Sequence, residues 1–90
     1  MMSTRELEKQ AEDRRRIAKT IEWPLRPILP MVNRNAETGA PERLGVLLEG
    51  TVPRIYRVPW WDALNRGLDG VPVEEFRSVQ QMQAHGWEVD

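Results

Sequence analysis

The chain opens with nineteen mostly polar residues. Apolar positions recur at Leu7, Ala11, Ile17, Ala18 and Ile21, a thin stripe at helical spacing that Arg14 interrupts. Ser3 with Glu6 three residues on has the form of a capping box, and Glu12 with Arg16 is an i,i+4 pair in the favourable order. These features predict a helix over 3–21. Its first half is polar nearly all round, so it is expected to anchor near Ile17–Trp23 and to project, or lie on a partner, before that.

"WPLRPILP" follows, with Pro24, Pro27 and Pro30 every third residue. A polyproline II segment has three residues per turn, which would align Leu25, Ile28 and Met31 as one apolar ridge. The functional reading is a ligand for an aromatic groove. The plainer reading, a stiff connector into a strand over "ILPMVNR", is preferred because the ridge gives the segment its own reason to dock.

"NAETGAPE" has loop composition. In "RLGVLLE", Leu44, Val46 and Leu48 alternate with Arg43, Gly45, Leu47 and Glu49, predicting a strand with one well-buried face. "RIYRV" is rich in β-formers. Short connections favour an antiparallel meander. Pro59 and Gly67 bracket "PWWDALNR" as a two-turn helix. A final helix is expected over some part of 73–85: Ser78 with Gln81 offers a second cap and a start there, which would leave "VPVEEF" extended before it, and an earlier start within 73–77 is the alternative; Gly86 reads as its stop and "WEVD" as a terminal strand. The expected fold is α+β: an N-terminal helix, a small mainly antiparallel sheet of three to four strands, and one or two short helices. Ninety residues fit a single domain, with 1–22 as the partly projecting helix and 23–90 as the compact body.

Charge adds little. The net formal charge is −1, with eight Lys/Arg against five Asp/Glu in 1–35 and five against nine in 36–90. Only "DRRRIAK", with Arg14, Arg15, Arg16 and Lys19, is a basic cluster, and Glu12 and Asp13 lie beside it. A solvated helix is the preferred reading and phosphate binding the alternative.

Candidate chemistry is sparse. The absence of cysteine excludes disulfides and thiolate sites. The single histidine, His85, reads as a surface residue near a helix end, and no spacing suits a metal. No triad, nucleophile elbow or phosphate-cradling glycine loop is present. Glu74 and Glu75 are adjacent, so in an extended segment they point to opposite faces. The expectation is therefore no enzyme, no cofactor and no metal. The polar N-terminus has no signal-peptide character and no apolar run suits a membrane span, so a cytoplasmic protein without membrane attachment is expected.

What remains is "RVPWWDALNRG". Leu64 must belong to the buried stripe of a two-turn helix, and Trp60 lies four residues before it. Trp60 and Leu64 are accordingly expected in the core, with Trp61 at the margin. Trp and Arg are over-represented in binding hot spots, which makes Trp61 with Arg57 the candidate contact site and Arg14, Arg15 and Arg16 a second candidate.

The C-terminal "FRSVQQMQAHGWEVD" resembles the tails of small uncharacterised accessory proteins of actinobacteriophages and actinobacteria. In these a capped helix leads into a G-W-x-x-D ending, matched here by Ser78, Met82, Gly86, Trp87 and Asp90. The excess of arginine over lysine, eleven to two, agrees with a GC-rich origin. The resemblance implies a small protein that binds a host or viral protein. Association with nucleic acid through the basic helix, and a homo-oligomer completed by that helix, are the alternatives.

Overall fold

A computed structural model describes residues 3–35 and 37–90. The elements are α1 (Thr4–Ala18), a 3-10 turn (Thr20–Glu22), β1 (Ile28–Arg34), β2 (Pro41–Leu48), β3 (Arg54–Tyr56), α2 (Trp60–Arg66), β4 (Val73–Glu75), α3 (Val79–Ala84) and β5 (Trp87–Val89). The five strands form one sheet in the order β4-β3-β2-β1-β5, with every neighbouring pair antiparallel. The fold is α+β as the pattern predicts, with five strands where three to four were expected. The additional one is β4, the extended "VPVEEF" segment. The loop reading of "NAETGAPE" includes residue 36, which lies outside the described residues.

The expectation that β2 buries one face is overturned. Val46 and Leu47 are both buried, whereas Leu44 is exposed. Helices cover both sides of the sheet at its centre, so consecutive residues enter different cores. Leu29, Met31, Leu47 and Ile55 join Trp23, Phe76, Met82, Trp87 and Val89 on the side of α1 and α3. Ile28 and Val46 pack with Ala63 of α2 on the other. The same pleat undoes the proposed ridge. Strand geometry begins at Ile28, so Ile28 and Met31 point to opposite faces rather than aligning at a period of three.

Gly45 makes the first core possible. A Cβ there would lie 2.7 Å from Ile55 Cγ2 and 3.2 Å from the tip of the Trp87 ring. The missing side chain is the space the indole fills.

α1 begins where the sequence indicates: Glu6 N–H donates to Ser3 Oγ at 3.2 Å. Its docking departs from the expected apolar anchor. Leu7 is exposed and Ile21 is 81% exposed, so the apolar stripe contributes little besides Ile17, which packs against the first core. Polar groups hold the helix instead. Asp13 is 2% exposed, and its Oδ2 accepts the Val89 N–H at 3.0 Å. Lys9 Nζ donates to Asp13 Oδ1 at 2.6 Å and to the Val89 carbonyl at 3.1 Å. Together they satisfy the outward N–H and C=O of Val89 in the edge strand, as a further strand would. Within α1 the pair that closes is Lys9–Asp13, three positions before the anticipated Glu12–Arg16 pair.

Candidate functional site

α2 follows Pro59 and stops at Gly67, whose φ of +76° suits glycine. Its buried residue is Ala63. The expected Trp60–Leu64 core does not form: Trp60 is 38%, Trp61 46% and Leu64 54% exposed. At 3.6 residues per turn, Trp61 stands roughly 160° around the helix from Ala63, and Leu64 roughly 100°. The helix approaches Ile28 and Val46 through its smallest apolar residue. A methyl group lets its axis lie close to the sheet, and the large side chains are turned outward. The two indoles meet edge to face, with centroids 5.6 Å apart and planes at 85°, an arrangement aromatic pairs favour. The result is a T-shaped aromatic pair beside an exposed leucine on a short helix. Leu44 and Val73 are also exposed, and their register partners place both on the α2 side of the sheet, Val73 opposite Tyr56.

Arg57 does not join this patch. Its guanidinium Nη1 lies 3.6 Å from Glu74 Oε1, and Glu74 stands opposite Ile55, which faces the core on the α1 and α3 side. Trp61 and Arg57 thus belong to different sides of the sheet. That contact is long for a hydrogen bond, and Glu74 Oε1 is buried without a hydrogen-bond partner. The adjacent carboxylates do diverge, Glu74 towards Arg57 and Glu75 towards Arg54 at 2.9 Å.

The basic cluster is divided too. Arg14 Nη1 donates to Gln83 Oε1 at 3.0 Å, and Gln83 Nε2 donates to the Gln10 carbonyl at 2.8 Å. Gln83 is buried, so Arg14 serves the α1–α3 junction and leaves the candidate contact set. Arg15, Arg16 and Lys19 remain exposed, and the Arg16 carbonyl accepts the Trp23 indole N–H at 2.9 Å. An array of contiguous arginines for phosphate is therefore not assembled from Arg14, Arg15 and Arg16 together.

Ion pairs at the surface shift the titration of their members. Glu49 sits below the usual carboxylate range, chiefly through its hydrogen bond with Arg26, and Arg26 is raised in return. Their contacts are 2.7 and 3.0 Å. Among the described residues no group of three or more His, Cys, Asp or Glu is gathered where it could hold a metal ion, and no helix is long and apolar enough to cross a membrane. His85 is exposed at the end of α3, its ring 5.4 Å from Phe76 and its carbonyl accepting from Asn33 Nδ2 at 2.9 Å.

Leu64 and Leu44 are both exposed, against the core position and the buried strand face that their spacing predicts. Ala63 was the available signal, since a small residue on a short helix marks a close approach to the sheet. Comparisons with protein-family models, curated proteins and solved structures find no match to the chain.

Proposed function

We propose that this is a non-enzymatic accessory protein of a phage or mobile element that binds a host or viral protein through the outer face of α2. The observation that carries the reading is the Trp60–Trp61 pair, held edge to face and open to solvent beside Leu64. Isolated exposed apolar side chains are ordinary, but a contiguous apolar patch costs solubility unless something covers it. Tryptophan is the residue most enriched in binding hot spots. Here the rings pack edge to face and stand on a helix seated by Ala63, so less side-chain freedom remains to be lost on binding. Arg57 has no part in this surface.

Two measurements on Trp61→Ala test the reading together. The ring points away from the sheet, so the substitution should cost roughly 1 kcal/mol or less, against about 3–5 kcal/mol for a core tryptophan. Affinity capture from host lysate, read by mass spectrometry, should recover a partner with the wild-type chain and lose it with Trp61→Ala. A large fall in melting temperature would return Trp61 to a structural role. Capture unchanged by the substitution would remove α2 from the interface.

A further inference from the structure

Two residues of β5 turn their backbone groups away from the sheet, and α1 serves only one of them. Asp90 N–H donates to the Pro30 carbonyl at 3.1 Å, and the register Met31↔Val89, Val32↔Glu88, Asn33↔Trp87 runs without a break. Glu88 therefore turns its N–H and C=O to β1, and Val89 and Trp87 turn theirs outward. At Val89 those groups reach Asp13 and Lys9. At Trp87 they have no hydrogen-bond partner among the described residues. Trp87 is buried, and buried main-chain polar groups are nearly always paired.

Trp87 lies at the floor of a cleft of about 320 Å³ between the start of α1, the end of β1 and the turn into β5. Its ring runs inward as far as Gly45 on β2, so what it presents to the cleft is main chain. Glu6 and Gln10, one turn apart on α1, line one wall, and Arg34 and Glu88 line the other. Arg34 Nε lies 3.3 Å from Glu88 Oε2, and its Nη1 donates to the Gly39 carbonyl at 3.2 Å. Glu6 has no ion-pair partner among the described residues. The lining thus sets two carboxylates against one guanidinium that is already engaged.

We infer that this cleft is a binding site for a small cationic amide. An amide holds an acceptor and a donor side by side in one plane. Its oxygen accepts from the Trp87 N–H, and its own N–H donates to the Trp87 carbonyl. A carboxylate in that place matches the N–H alone, leaves the carbonyl unpaired and meets the charges of Glu6 and Glu88. An ammonium on the same molecule is drawn to Glu6, where a charge-assisted hydrogen bond is stronger than a neutral one. Because α1 closes the edge at Val89, the backbone of a single residue is open, which suits a small molecule rather than a strand. Such sites fix a ligand with a few placed polar groups. No residue of α2 takes part, so the site does not rest on the protein-binding reading.

The test titrates the full-length chain, labelled with nitrogen-15 and carbon-13, with lysinamide. Free lysine is the control that replaces the amide by a carboxylate. Lysinamide should bind with a dissociation constant on the order of 1 mM, as suits about ten non-hydrogen atoms. The largest shifts should fall on the Trp87 amide and carbonyl carbon, with Gln10 moving as well. Lysine should bind about tenfold more weakly. Glu6→Gln should weaken lysinamide about threefold, the effect of losing an exposed ion pair. The proposal is overturned if no saturable shift appears, which is the result when water alone fills the cleft. It also fails if the shifts miss Trp87, if lysine binds as tightly, or if Glu6→Gln changes nothing. None of these results depends on Trp61, so the α2 reading stands or falls separately.

Discussion

Removing the Asp13 carboxylate should destabilise the whole domain, although the residue belongs to a helix with almost no apolar anchor. In Asp13→Ala the Val89 N–H loses its acceptor at 3.0 Å. A hydrogen bond to a charged group contributes roughly 1.5–3 kcal/mol, and an orphaned buried donor carries a desolvation cost of similar size. Lys9 adds less. Its side chain is 40% exposed and regains water once its partner is gone, so the ion pair itself is worth under about 1 kcal/mol. The sum is about 2–3 kcal/mol, in a chain whose total stability should be roughly 5–13 kcal/mol. That corresponds to a fall of roughly 10–20 °C in melting temperature. Asp13→Asn retains an acceptor for Val89 and should lose less than half as much. Circular dichroism melting of Asp13→Ala, Asp13→Asn, Lys9→Met and the Lys9→Met/Asp13→Ala double variant separates the contributions, since residues in contact are non-additive. Amide exchange at Val89 should accelerate in Asp13→Ala beyond the change in global stability. A melting temperature within about 2 °C of wild type for Asp13→Ala would refute the reasoning. It would mean that α1 is an appendage and that the β5 edge is satisfied by water.

Gly45→Ala should cost about 1–3 kcal/mol by overpacking, because the added methyl meets Ile55 at 2.7 Å and the Trp87 ring at 3.2 Å; urea unfolding would show it, together with changed Trp87 fluorescence. Glu49 is held below its ordinary range, so the pair with Arg26 contributes stability above the usual glutamate pKa of about 4.3 and loses it as pH falls through the lowered value. Glu49→Gln should therefore lower the melting temperature slightly near neutrality and converge with wild type in acid, which melting at a series of pH values would reveal.

The order and type of the elements were legible in the chain because they rest on local chemistry. Ser3 and Ser78 accept from the third residue of their helices at 3.2 and 3.1 Å. Gly67 and Gly86 end helical segments at positive φ, Pro59 opens α2, and "WEVD" closes as β5. In each case a short-range hydrogen bond or a steric limit selects one conformation. Faces were a different matter. Periodicity tells which side chains share a side of an element, but not which side is covered, nor whether both are. β2 met helices on both sides of the sheet, so Val46 and Leu47 entered different cores while Leu44 stayed outside. α2 came down on Ala63, and its two tryptophans were left partly exposed at the surface while Trp23 and Trp87 entered the core. Arg14 was diverted to Gln83 and Arg57 to Glu74, which dispersed both expected contact sets. Asp13 gained its role only when β5, some 76 positions later in the chain, brought an unpaired N–H to its carboxylate. Local sequence determines where helices and strands begin and end, because caps, prolines and glycines act within a few residues. Which side chains become core, clamp or open surface depends on which elements meet, and that is decided by long-range packing.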